Sequence, residues 1–317
     1  MGAIESVREA VELEGSEGAS SWKLQGTLAV AKQKLADYLV LCKARLSLLV
    51  LCSGLTGFWL ASGSSPDLTR LSFFAVGTLM VIAGANAFNE VAERHQDRLM
   101  ERTARRPLPA GRMRVREAVV AAGVMSAGGL AVLVVSTNIL TTVLAGLALA
   151  IYVLVYTPLK RVTHWNTFAG AISGAIPTLM GWSAVDNGLG QPAWVLFGIL
   201  FFWQFPHTWS IASTYGEDYA RVGYRVLPLV DTRGIRTRLQ MILFCLALIV
   251  VSVLPVLTGV AGYVYLVGAI ALGVLLLGYG VRFGSGRSRK PAVQLMAVTL
   301  VYMPAILTLL VLDKRSF

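Results

Sequence analysis

The chain of 317 residues is 56% apolar and only 14% charged, with 28 Lys or Arg against 17 Asp or Glu. Soluble domains carry about 25% charged residues, and a mean hydropathy of +0.66 leaves too little polar surface to coat a globule in water, so a water-soluble enzyme is excluded. A net charge of +11 suits nucleic acid, an acidic lipid surface or an anionic substrate, and only the placement of the charges can choose among them.

Residues 1–45 read as a polar, cytoplasmic N-terminal tail in which Glu5, Glu9, Glu12, Glu14 and Glu17 precede Lys23, Lys32, Lys34 and Lys43. It has neither the apolar core of a secretory leader nor the acid-poor, Arg-rich character of a transit peptide. Trp22 to Tyr38 has the composition of an interfacial helix. From residue 46 to 313 the pattern predicts one all-α unit, a polytopic membrane protein with nine transmembrane helices near 47–62, 71–92, 117–135, 140–158, 167–185, 192–212, 239–257, 261–281 and 292–312. With the N-terminus cytoplasmic, 25 of the 28 basic residues fall on the cytoplasmic side, leaving Arg70, Lys314 and Arg315 outside. That asymmetry accounts for the charge excess without nucleic acid. Cys42, Cys52 and Cys245 have no disulfide-framework or zinc spacing and read as packing residues.

The second span runs on into a polar segment. At 100° per residue Asn86, Asn89, Glu90, Glu93 and Asp97 fall within an arc of about 100° on one helical face. Such oxygen donors are the hard ligands of Mg²⁺, which takes one or two carboxylates and completes its shell with water and substrate phosphates. Glu93 and Asp97 are the natural pair. Arg102, Arg105 and Arg106 follow, before Pro107 and Pro109 end the helix. Guanidinium groups match phosphate oxygens bidentately, so stripe plus arginines reads as a site for a metal-bound diphosphate. The alternative is a solvated helix end with local ion pairs such as Glu101 with Arg105. The cost of ionisable residues beside a span favours function.

Two further polar connections share that face. Glu217, Asp218 and Arg221 follow the sixth span, where Asp218 is either a further metal ligand or part of a solvated loop. Lys160 and Arg161 either reach a phosphate or anchor the fourth span by the positive-inside rule. Beyond them Gly170, Gly174, Pro177 and Gly181 recur at close to four-residue spacing, which lets helices approach closely.

These motifs resemble the protohaem IX farnesyltransferases (haem O synthases), a branch of the UbiA-type intramembrane prenyltransferases. The resemblance covers roughly residues 43–312. The superfamily's NxxxDxxxD motif is similar to Asn89-xxx-Glu93-xxx-Asp97, with Glu in place of the first Asp. Met100-Glu101-Arg102-Thr103, Arg106-Pro107-Leu108, Tyr156-Thr157-Pro158-Leu159-Lys160-Arg161, Asn166-Thr167, Gly174-Ala175-Ile176-Pro177 and Trp203-Gln204-Phe205-Pro206-His207 resemble the haem-specific branch. Three positions depart from it. Ala44 stands where Pro is frequent, Thr178 where a second Pro is common, and Gly216 where a basic residue usually precedes Glu217-Asp218, for which Arg221 or Arg225 is the candidate replacement.

The resemblance implies a UbiA-like helical bundle in a bacterial inner membrane, with Mg²⁺ as cofactor and farnesyl diphosphate and haem b as substrates. Haem A synthase or cytochrome oxidase assembly factors are the implied protein partners. It assigns Asn89, Glu93, Asp97 and Asp218 to metal and catalysis, and Arg102, Arg106, Lys160 and Arg221 to diphosphate. His207 and His164 are candidate haem contacts, since imidazole is a usual iron ligand. His95, beside Arg94 and off the acidic arc, reads as solvated. Trp203, Trp209, Tyr215 and Tyr219 either stabilise a cation by their ring faces or belong to an interfacial belt. The rivals are a transferase acting on a quinone or chlorin, an ion-coupled transporter, which would put acids at mid-membrane, and a structural subunit, which has no use for two acid-and-arginine clusters.

Overall fold

The computed structural model describes residues 27–284 and 288–315. The first 26 residues of the predicted tail, with its five glutamates, Trp22 and Lys23, lie outside the described residues. A helix over residues 27–41, α1, precedes the spans. The membrane bundle follows as α2 (Ala44–Ala61), α3 (Leu68–Asp97) and α4 (Val115–Ser136). The composite span Ile139–Val162 is built from α5 (Ile139–Ala150), a π-helical stretch Ile151–Tyr156 and α6 (Thr157–Val162). Next come α7 (Asn166–Asp186), α8 (Gln191–Thr214), short α9 (Gly216–Arg221) and α10 (Leu227–Val230), then α11 (Ile235–Leu257), α12 (Tyr263–Gly284) and α13 (Arg289–Leu312).

Among the described residues nine helices are long and apolar enough to cross a bilayer, one for each predicted span. Their ends mostly lie outside the predicted ones. The largest extension is that of α3, which continues five residues past position 92 to Asp97, because its polar end is covered by other protein segments. The eighth helix starts two residues late, at Tyr263, because Ala261 pairs instead with Lys314 near the C-terminus.

The core sits around α7, the helix richest in small residues. Here α2 lies along α7 so closely that a Cβ on Gly57 would overlap the Thr178 carbonyl oxygen, and one on Gly181 would overlap that of Gly54. On its other faces Gly170 meets the Tyr156 ring and Gly174 meets the Gln204 side chain. The glycine spacing therefore does what it predicts: helix backbones approach without an intervening side chain. Between α7, α8 and α11, Phe168, Phe205, Trp209 and Phe244 form an aromatic cluster, with Phe205 and Phe244 stacked at 3.9 Å. On the outer faces large apolar side chains such as Val135, Val143, Leu154, Leu243 and Val267 are exposed, as a lipid-facing surface requires.

Overpacking a tight helix contact costs about 1–3 kcal/mol. Gly181→Val is expected to lower the thermal unfolding midpoint of the detergent-solubilised protein, whereas Gly146→Val, at a glycine with open space around it, leaves the midpoint unchanged.

Candidate active site

At 1.5 Å per residue the 30 residues of α3 span about 45 Å, more than the ~30 Å of hydrocarbon in a bilayer. The excess length carries the acidic stripe. Asn86, Asn89, Glu90, Glu93 and Asp97 are all buried, Asn89 and Glu90 at 0% exposure. The π-helical stretch faces them. Its Tyr152 hydroxyl donates to Asn86 Oδ1 at 3.3 Å, and Asn89 Nδ2 donates to Thr157 Oγ1 at 3.0 Å. The irregular turn spends regular helix geometry on delivering polar groups to the stripe, a frequent use of π-helical turns.

Each acid of the stripe except Glu90 meets a cation or its own hydrogen-bond donor. Lys160 Nζ lies 2.6 Å from Glu93 Oε1, and Arg106 NH1 lies 2.7 Å from Asp97 Oδ2. Lys160 also sits over the Tyr156 and Tyr224 rings at 4.6 and 5.6 Å. These are not the local pairs of a solvated helix end, since Lys160 comes 67 residues after Glu93 and Glu101 pairs with Arg221 at 3.3 Å rather than with Arg105. Buried ion pairs seldom repay their desolvation in stability. A chain that gathers them from three segments is using them for something else.

A third cation is one that the sequence pattern does not single out. Lys43 Nζ donates to Asn89 Oδ1 at 2.5 Å. Lys43 stands at the break between α1 and α2 with φ 47°, a left-handed conformation that non-glycine residues rarely hold. α1 braces it. Arg112 holds Asp37 at 2.9 Å, and Glu117 on α4 accepts from Lys34 at 2.9 Å and Tyr38 at 3.0 Å. Burial and the neighbouring Arg106 cation bring the Lys43 ammonium down to about 7.

The three polar connections are stitched into one mouth. Asp218 Oδ1 accepts from the Glu101 backbone N–H at 3.2 Å and lies 3.5 Å from Arg221 NH1. The Arg225 backbone N–H donates to the Lys160 carbonyl at 2.7 Å, and Asn166 Nδ2 donates to the Arg225 carbonyl at 2.6 Å. Arg102 lies over the Tyr215 ring at 5.1 Å. Of the two candidate replacements for the basic residue missing at Gly216, Arg221 is the one beside Asp218, whereas the Arg225 guanidinium donates to the Val162 carbonyl. Asn89, Glu93, Asp97, Arg106 and Lys160 thus form one buried cluster, with Asp218, Arg221 and Arg102 at its rim. Among the described residues no three His, Cys, Asp or Glu side chains converge on a common metal-sized point, so Asp218 does not complete a single cage with Glu93 and Asp97.

Beneath the mouth lies an apolar cavity of about 620 Å³. Leu46, Leu49, Ser53, Thr56 and Trp59 of α2 line one wall, and Trp203, Gln204 and His207 of α8 and Met303 and Leu307 of α13 line others. No residue of the charged cluster lines this cavity, whose α2 wall begins at Leu46, one helical turn after Lys43. The two candidate haem contacts part company here. His207 opens on this cavity, whereas His164 lines a separate one of about 460 Å³ with Phe168, Phe205, Trp209 and Phe244, against the other face of α8. His95 is exposed, as its position off the arc predicts.

The family profile described as the UbiA prenyltransferase family matches residues 50–303. The chain belongs to the UbiA prenyltransferase family. Protohaem IX farnesyltransferases are among its relatives: that of Solibacter usitatus is 40% identical over 289 residues, covering 88% of this chain and 99% of the relative. That of Salinibacter ruber is 41% identical over 279 residues, covering 88% and 99%. Among solved structures, a digeranylgeranylglyceryl phosphate synthase superposes with a TM-score of 0.75 at 18% identity, covering 89% of this chain and 98% of that one. A UbiA homologue from Archaeoglobus fulgidus bound to GPP and Mg²⁺ superposes with a TM-score of 0.62 at 15% identity, covering 86% and 99%. At such identities the structural likeness establishes the fold. The protein is a multi-pass membrane prenyltransferase by family.

Removing one partner of a buried pair strands the other charge, at a cost of about 3–5 kcal/mol. Lys160→Met is therefore expected to destabilise the folded protein strongly, and the double variant Glu93→Gln/Lys160→Met to recover much of that loss. Chemical unfolding of the four species in one detergent measures the coupling; additive losses contradict the pairing.

Proposed function

We propose that this chain transfers the farnesyl group of farnesyl diphosphate to a vinyl group of haem b, with addition of water, giving haem O and diphosphate. The observation that carries the proposal is a buried stripe of hard oxygen donors interleaved with Lys43, Arg106 and Lys160, in a bundle whose apolar cavity of about 620 Å³ begins on α2 one turn after Lys43. The relatives named above supply the acceptor.

The donor set fits Mg²⁺. Both carboxylate oxygens of Glu90 are buried without a hydrogen-bond partner among the described residues, on the face shared with Asn86, Asn89, Glu93 and Asp97. Mg²⁺ needs only one or two protein carboxylates when phosphate oxygens complete its shell, so three converging acids are not required. Asn89, Glu93 and Asp97 would hold an ion directly or through water, with Glu90 as a further donor, and Asp218 at the rim would hold a second through water and phosphate. When bound, the metal supplies Lewis-acid stabilisation of the charge that grows on the leaving diphosphate.

The protein's own groups do the rest. Arg106 and Lys160 can turn from their carboxylate partners to phosphate oxygens, assisted by Arg102 and Arg221 at the rim and by Lys43 inside. Fixed cations in a dry site stabilise developing negative charge without reorganising. The allylic C–O bond breaks with its electron pair going to diphosphate. The vinyl π electrons then form the new C–C bond, and the carbon left electron-deficient beside the porphyrin takes the oxygen of water, which loses a proton. From Leu46 to Trp59 the cavity wall is about 20 Å long by helical rise, enough to hold an extended farnesyl chain, and its apolar lining keeps water from the allylic carbon beforehand. His207, on the same cavity, is the porphyrin contact. The positive-inside charge asymmetry supports a mouth and N-terminus on the cytoplasmic side, in a bacterial inner membrane.

Membranes containing the chain, supplied with haem b, farnesyl diphosphate and Mg²⁺, are expected to yield haem O by mass spectrometry of the haem extract. Asp97→Ala is expected to lower the yield at least ~10²-fold, the usual loss on removing a group that stabilises transition-state charge. A farnesylated quinone in place of haem O overturns the acceptor assignment, and an undiminished Asp97→Ala rate overturns the site.

A further inference from the structure

We infer that Thr299 is a positioning residue that fixes the tautomer and ring plane of His207, so that Nε2 presents its lone pair to the iron of the porphyrin substrate. The inference rests on His207 being the porphyrin contact. Thr299, on α13, is fully buried at 0% exposure. Its Oγ1 lies 2.9 Å from His207 Nδ1 and also donates to the Met296 carbonyl at 2.7 Å. A hydroxyl has one proton to give. With that proton on the Met296 carbonyl, Thr299 Oγ1 accepts from His207 and Nδ1 carries the imidazole hydrogen, the arrangement inferred here. In the neutral ring this leaves Nε2 unprotonated, the form that binds a metal.

The ring plane is set as well. His207 stacks on Trp203, one turn earlier on α8, with centroids 4.5 Å apart and planes at 14°. Trp203 Nε1 in turn donates to the Thr299 backbone carbonyl at 2.9 Å. One residue of α13 thus holds both rings, its carbonyl the indole and its hydroxyl the imidazole. His207 Nε2 has no hydrogen-bond partner among the described residues, and His207 lines the apolar cavity. Partners that orient a metal-binding imidazole through its other nitrogen change metal affinity by ~10–100-fold when removed.

The test titrates the full-length detergent-solubilised protein with haem b and follows the Soret band and the electron paramagnetic resonance of histidine-ligated ferric iron. Thr299→Val, isosteric but without the acceptor, is expected to weaken haem binding ~10–100-fold and to weaken the histidine signature, while the KM for farnesyl diphosphate stays unchanged and Thr299→Ser restores binding. If Thr299→Val binds as the parent does while His207→Ala loses the signature, the positioning role is wrong and His207 still meets the porphyrin. If His207→Ala keeps the signature, the porphyrin contact itself is wrong and the inference falls with it. Nitrogen-15 NMR of the labelled histidines, only three in the chain, reads the tautomer without any variant that has to fold. A protonated Nδ1 at His207 supports the role, and a protonated Nε2 with bare Nδ1 overturns it.

Discussion

A carboxylate at the end of a membrane helix is costly unless it finds a cation or a donor before it finds hydrocarbon. That constraint organises this molecule. Glu93 and Asp97 lie on a helix that outlasts its apolar run, and the cations that answer them come from elsewhere, Lys160 from the end of the composite span and Arg106 from the loop beyond α3. Meeting both requires the π-helical stretch to turn Tyr152 and Tyr156 inward, and the 224–225 segment to lie under Lys160. In the proposed reaction the same pairs that make the helix end tolerable exchange partners. A metal ion and a phosphate are better partners for carboxylate and guanidinium than these are for each other only when both arrive together.

Much of this was legible in the residues. Nine apolar runs separated by polar connections dictate nine spans, and the small-residue spacing of α7 dictates close approach, because both are short-range consequences of composition and period. The stripe from Asn86 to Asp97 was legible for the same reason: 3.6-residue periodicity assigns residues to a face without any tertiary knowledge. Which cations meet that face was not, since Lys160 follows Glu93 by 67 residues and nothing in a helical period links them. Lys43 was harder still. Counted with a polar tail, it looks like one more positive-inside lysine, and only the left-handed turn between α1 and α2 aims it at Asn89.

The histidines show the opposite limit. His207, near the end of a span otherwise free of ionisable residues, is the stronger candidate by sequence, and α8 separates it from His164, with His207 on the larger apolar cavity and His164 on another. Glu90 lay on the predicted arc but outside the assigned ligands, because the NxxxDxxxD spacing skips it. Its two unpartnered oxygens make it the most unsatisfied group of the stripe. The cavity itself carries no charged residue among its lining, and its α2 wall from Leu46 to Trp59 is almost purely apolar.

On the proposed function, carboxylates and cations at the mouth exchange each other for a metal ion and a diphosphate as a unit. Calorimetric titration of the solubilised protein with inorganic diphosphate, with and without Mg²⁺, measures it directly. The account predicts strong positive coupling, each ligand tightening the other by the same factor, as linkage requires. Diphosphate affinity that is the same with and without Mg²⁺ would contradict it.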